Sequence, residues 1–194
     1  MRPGSQGGSQ AADAPDSGGD SRGALDELRQ SLEADLEREP GSPLLVRSSL
    51  ELLLGACVVR AQQSRGAVGL VAFELEDWKT LHEQAGASAF AGAFADLARE
   101  LRRRVRAGDE LGRLGEAQMA AILPGCELAA LGSVSERLRL VLEARELSLG
   151  AQPVRPSFAT AWIAAAPGPA STSPARLLEE LASALERARG DGAG

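Results

Sequence analysis

The chain has 194 residues, 44% of them hydrophobic and 25% charged, and a formal net charge of −6; that is enough apolar length for one globular core plus a tail. The acidic balance excludes a general attraction to nucleic acid or to an anionic membrane surface and leaves any basic site local. No apolar run approaches the ~20 residues of a membrane span, and the N-terminus lacks the apolar core of a signal peptide, so a soluble cytoplasmic protein is expected.

Residues 1–23 are rich in Gly, Ser, Gln, Asp and Pro and carry almost no apolar side chains. They cannot bury enough surface to offset their ordering entropy, which predicts a disordered leader. From Ala24 to Arg38, Leu25, Leu28, Leu32 and Leu36 recur at spacings of 3, 4 and 4 with acidic residues between them. This is the stripe of an amphipathic helix, stopped by Pro40 and Gly41. Two readings of the stripe stay open, a short homodimer seam and a helix folded back on the domain.

Pro43 to Ser64 reads as a second, strongly apolar helix, and AVGLVAFEL (Ala67 to Leu75) as an interior strand with carboxylates at its C-terminal end. Trp78 to Val105 holds good helix formers interrupted by Gly86 and Gly92, which predicts two helical pieces. Asp109 to Leu114 and Gln118 to Leu123 read as a hairpin turning at Gly115 and Glu116 and closed by Pro124 and Gly125. A helix over Glu127 to Arg145, a strand over Ser157 to Ala165 and a helix over Pro174 to Arg189 follow, the last with Ser173 as N-cap and Pro174 at its first position. Residues 191–194 are expected to form a flexible end. The order predicts one mixed α/β domain over 39–190, an α+β arrangement in which helices cover a sheet. Cys57 and Cys126 lack CxxC spacing and lie among apolar residues; they read as small buried hydrophobes.

Five stretches stand in order along the chain: EPGSPLLVR (39–47), FELEDWK (73–79), KTLHEQAG (79–86), RLGEAQMAAILPG (113–125) and ALERAR (184–189). Together they resemble the GGDEF domain, the diguanylate cyclase family that condenses two GTP into cyclic di-GMP. In that order the family has DxLTGLPNR, LDLDxFK, KxINDxxG, RxGGDEFxxLLPx and a closing ALYxAK helix. The resemblance implies a nucleotide-cyclase palm-like fold, a central mixed sheet of about five strands flanked by helices, here with an extra N-terminal helix.

The same resemblance implies a site that has lost its chemistry. The family reaction needs carboxylates holding two divalent metals on a triphosphate, and side chains that read guanine. The metal-binding aspartate ending the first strand falls on Glu74, one methylene longer, and the signature Gly-Gly-Asp-Glu-Phe is replaced by Gly115, Glu116, Ala117, Gln118 and Met119. Glu116 brings bulk and negative charge to where a glycine lets the backbone approach phosphates. Gln118 offers a neutral ligand in place of a metal-binding glutamate. The guanine-reading asparagine falls on His82, read as an ordinary surface side chain, and a later aspartate falls on Ala91. Lys79 and Arg189 keep charge at phosphate-contacting positions, with a solvated cation as the plain alternative. No catalytic residue, metal or cofactor is therefore expected, and no Ser-His-Asp, Cys-His or phosphate-loop arrangement points to another enzyme.

Arg106-Ala107-Gly108-Asp109, five residues before Gly115, resembles the RxxD of the family's inhibitory site, which binds an intercalated cyclic di-GMP dimer away from the active site. Arg137 falls where a further arginine completes that site in many members, and Arg113 is an auxiliary candidate. Guanidinium groups make bidentate hydrogen bonds to phosphate or to guanine O6/N7 and stack on purines, while Asp109 can accept from guanine N1–H and N2–H. The plain alternative makes RRRVRAGD a helix end, its Arg102, Arg103 and Arg104 favouring the helix dipole and its Asp109 serving the turn. The expectation is a catalytically inactive cyclic di-GMP receptor that signals through an unidentified protein partner. Against it stand a nucleotide-independent interaction scaffold and, third, a weak cyclase or GTP-binding regulator.

Overall fold

The computed structural model describes residues 35–149, 153–165 and 173–191. The expected leader, the expected first helix up to residue 34 and residues 192–194 lie outside them. Within them run α1 (Arg47–Ser64), β1 (Val68–Leu75), α2 (Trp78–Ala85), α3 (Ala87–Arg102), β2 (Glu110–Gly115), β3 (Gln118–Pro124), α4 (Leu128–Glu143), β4 (Leu147–Ser148), β5 (Pro153–Val154), β6 (Phe158–Ala165) and α5 (Pro174–Asp191).

Four strands form the main sheet in the order β2-β3-β1-β6, every neighbour antiparallel. Strand β1 lies inside it and is buried at all of its positions; helices on both faces explain why its sequence is a continuous apolar run rather than an alternating one. Alternation then sorts the side chains. Val71, Phe73, Leu75, Leu111, Met119 and Ala121 face α3 and α4, whereas Leu70, Ala72, Ala120 and Ile122 face α1 and α5. Helix α3 buries Phe90, Ala93, Phe94, Leu97, Ala98 and Leu101, the spacing of a helix that presents one stripe to a sheet. Ser173 Oγ accepts the Arg176 N–H at 3.3 Å and caps α5 as the sequence predicts.

The structure departs from the sequence reading in several places. Residues 43–46 are extended, not helical. Leu45 N–H donates to Leu111 O and Arg113 N–H donates to Leu45 O, each at 2.9 Å, in a parallel bridge beside β2. That bridge is the mixed element of a sheet that otherwise has four antiparallel strands, not about five. The expected N-terminal helix does not reach Arg38, which bridges Leu45 instead. Helices α2 and α3 part only at Gly86, whose φ of 80° suits glycine; Gly92 sits in open space on the exposed side of α3 and leaves the helix whole. The two-residue strands β4 and β5 pair apart from the main sheet. Cys57 and Cys126 are half-buried rather than fully buried. Among the described residues no helix is long and apolar enough to cross a membrane.

Candidate functional site

At the C-terminal end of β1 the chain turns through Asp77, whose φ of 51° lies in the left-handed region that Asp tolerates better than most side chains. The turn swings α2 across the strand end and opens a cleft of about 580 Å³ lined by Glu74, Glu76, Asp77, Trp78, Lys79 and Arg189 among others. Glu74 forms its floor and is 2% exposed. Its Oε1 accepts from Arg189 Nη1 at 2.8 Å and its Oε2 from Gln118 Nε2 at 3.1 Å. Gln118 is its direct cross-strand partner, so the sheet register itself brings these two together. Arg189 thus ion-pairs with the buried carboxylate instead of standing as a solvated cation.

The other residues of the GEAQM stretch lie around this pair. Gly115 sits beneath the Gln118 side chain, where an added Cβ would lie 2.7 Å from Oε1. Glu116 is exposed at the turn. Ala117 is buried and its carbonyl accepts the Leu75 N–H at 3.0 Å, while Met119 is fully buried opposite Phe73. His82, expected at the surface, is half-buried and meets the Phe90 ring edge-on at 5.2 Å between centroids, so it packs α2 on α3. Ala91 is exposed on α3, and Lys79 is exposed with Nζ 5.8 Å above the Trp78 ring.

The residues present do not fit divalent cations. Of the carboxylates that line the cleft, Glu74 has both oxygens engaged by Arg189 and Gln118, and the side chain opposite it offers an amide donor. Hard cations require several oxygen ligands, mainly carboxylates. Among the described residues no group of three His, Cys, Asp or Glu side chains is placed to hold a metal ion.

On the other face of the sheet, Arg106 to Asp109 closes a turn between α3 and β2. Asp109 N–H donates to Arg106 O at 3.1 Å, and the buried Asp109 Oδ2 accepts the Arg106 N–H at 2.8 Å. Arg102 reaches over the turn and donates to the Asp109, Arg106 and Ala107 carbonyls. Arg103 and Arg104 each pair with Glu100 at 3.1 Å. The Arg106 guanidinium is exposed and makes no hydrogen bond or ion pair among the described residues. Arg137 comes across from α4 and donates to Arg104 O at 3.4 Å, which brings its exposed side chain beside the same turn. Burial pushes the Cys126 thiol upward, while the Arg106 charge works against it.

Arg113 is not brought to this turn. It lies four residues further along β2, about 13 Å at ~3.3 Å per residue. Its Nε donates to Glu39 Oε1 at 2.8 Å, its Nη1 to Glu116 O at 3.1 Å, and its guanidinium carbon sits 4.3 Å from the Phe94 ring centroid. Sequence reasoning missed this cluster, because Glu39 and Phe94 carry no local sign of a shared partner.

Residues 42–194 match the family described as diguanylate cyclase, GGDEF domain. The chain belongs to the GGDEF family. Among solved structures it is similar to the diguanylate cyclase SiaD of Pseudomonas aeruginosa in complex with its activator SiaC, at 20% identity and a TM-score of 0.75, over 89% of this chain and 65% of that one. It thus spans less than two thirds of the SiaD chain. The GGDEF domain of DgcB from Caulobacter crescentus in complex with c-di-GMP aligns at 16% identity and a TM-score of 0.70, over 81% of this chain and 92% of that one. For the FimX GGDEF domain of Pseudomonas aeruginosa the values are 19%, 0.71, 79% and 94%. At these identities the likeness shows the fold. No curated protein matches the chain.

Proposed function

We propose that this GGDEF domain is a catalytically inactive, cytoplasmic receptor for cyclic di-GMP, which it takes up at Arg106, Asp109 and Arg137 and reports to a protein partner. The observation that carries the reading is the Arg106 guanidinium, exposed on a turn already fixed by Asp109 and Arg102, with no partner among the described residues and with Arg137 beside it. A pre-built turn lowers the ordering cost of binding, and two exposed guanidinium groups, of which Arg137 keeps one hydrogen bond to Arg104 O, suit a ligand with two phosphates and purine faces. The lack of catalysis rests on the strand end, where Ala117 and Gln118 offer no carboxylate and Glu74 is already paired. The DgcB domain crystallised with c-di-GMP and the SiaD–SiaC complex make ligand and protein partner reasonable for this fold.

Calorimetric titration with cyclic di-GMP tests the reading, with GTP plus magnesium or manganese in parallel. The expected results are binding near two nucleotides per site and no conversion of GTP. Replacing Arg106 with Ala removes a charge-assisted contact of about 1.5–3 kcal/mol, which is about 10- to 150-fold in affinity. An affinity indifferent to Arg106→Ala and Arg137→Ala would remove the site, and turnover of GTP would remove the inactivity. Silence towards both ligands would leave the nucleotide-independent scaffold.

A further inference from the structure

The strand-end site poses a problem of charge that the family answers with metal ions and this chain answers differently. A carboxylate as buried as Glu74 is costly unless a cation and hydrogen bonds compensate it. Arg189 Nη1 stands 2.8 Å from one oxygen and Gln118 Nε2 stands 3.1 Å from the other. The Gln118 amide is turned so that its nitrogen meets Glu74 and its oxygen lies over Gly115. Both neighbours therefore present donors to Glu74. That arrangement suits an anion already neutralised and opposes a second cation.

We propose that Arg189 is a tethered substitute for the divalent cation: its guanidinium supplies the positive charge at Glu74, Gln118 completes the hydrogen bonding, and the site closes without metal. This rests on the reading of the domain as catalytically inactive, and it accounts for the two departures at positions 74 and 118 as one compensated change. Arginine is suited to the role because guanidinium is more weakly hydrated than ammonium and stays charged at all working pH. The pairing also fastens the C-terminal turns of α5 to the end of β1 and to the hairpin.

The test uses the full chain, manganese binding followed by electron paramagnetic resonance, and thermal unfolding with and without manganese. Wild type should show no manganese binding that depends on Glu74 and no manganese-dependent shift in Tm. Arg189→Ala should lower Tm by leaving the carboxylate uncompensated. Glu74→Gln/Arg189→Ala should recover most of that loss, because a neutral amide needs no counterion. Arg189→Ala/Gln118→Glu, which puts two carboxylates opposite each other, should bind manganese at least about tenfold tighter than wild type and gain Tm from it. If Arg189→Ala fails to fold, the charge argument is carried by the Glu74→Gln/Arg189→Ala pair, expected to fold. Glu74-dependent manganese binding by wild type, no rescue by Glu74→Gln, or a Gln118→Glu double variant indifferent to manganese would each overturn the proposal. Cyclic di-GMP titration reads the other face of the sheet, so a silent result there sinks the receptor reading and leaves the manganese result standing.

Discussion

Replacing Arg113 with Ala separates an architectural arginine from a ligand-binding one. The side chains of Arg113 and Glu39 are 24% and 25% exposed, so their ion pair is shielded enough to be worth about 1 kcal/mol, the upper end for pairs near a surface. The guanidinium over Phe94 adds about 0.5–1 kcal/mol, and the hydrogen bond to the Glu116 carbonyl about 0.5–1 kcal/mol. Together the loss should be about 2–3 kcal/mol. For a domain of this size that lowers Tm by about 4–12 °C, at ~2–4 °C per kcal/mol. Arg113→Lys should lose roughly half as much, since it keeps a charge but not the planar fork. Urea denaturation in a double-mutant cycle with Glu39→Gln should give a coupling of about 1 kcal/mol, while cyclic di-GMP affinity stays at the wild-type value. A stable Arg113→Ala protein with weakened cyclic di-GMP binding would refute this reasoning and return Arg113 to the ligand site.

Ser135 Oγ is buried in α4 without a hydrogen-bond partner among the described residues, so Ser135→Ala should be neutral or stabilising by up to about 1 kcal/mol in chemical denaturation; a marked loss would reveal a partner for the hydroxyl. At Gly112 an added Cβ would lie 2.6 Å from Leu50 Cδ1 and 2.9 Å from Leu50 Cβ, and Gly112→Ala should cost about 1–3 kcal/mol through overpacking, read as a lower urea midpoint. Hydrogen bonds from Arg104 and then Arg103 hold the Glu100 carboxyl below its usual value of 4.5. A depressed carboxylate adds stability that is present above its unfolded value and is lost as pH falls through the folded one. Glu100→Gln should therefore flatten the acid side of the stability profile below about pH 4.5, and an unchanged acid limb would show that the pairs contribute nothing.

Much of the fold was legible because its signals are local. The apolar run of β1, the helix formers of α3 and the cap at Ser173 each stand within a single element of sequence. The misread segment, residues 43–46, shows the limit: Leu44 and Leu45 look like the start of an apolar helix, and only pairing with β2, far along the chain, makes them extended. Strands β4 and β5 are too short to show any period. At the site, the motif register placed Glu74 and Gln118 but not their relation, since a cross-strand pair exists only once the register of β1 and β3 is set. Arg189 bonds Glu74 across 115 residues of separation. Sequence reading kept its charge as a phosphate contact or a solvated cation, and folding gave it to a carboxylate. In the RxxD stretch Asp109 serves the turn, as the plain reading expects, and Arg106 faces solvent.

The sheet order also sets an order of events in time. Hairpin β2–β3 joins neighbours in sequence and can close early, whereas β6 must find β1 from far away, pairing Phe158 with Leu75 and Ala165 with Val68. Such distant closure comes at an entropic cost that makes it slow. Helix α5 follows β6 in the chain and packs against it, so Arg189 is expected to arrive late. Until then Glu74 has no cation, and the growing sheet must keep that end hydrated. The step that seats Arg189 should therefore be the step that dries the strand end and commits the chain to its native state, detectable as late hydrogen-exchange protection at β6 and at the hairpin turn.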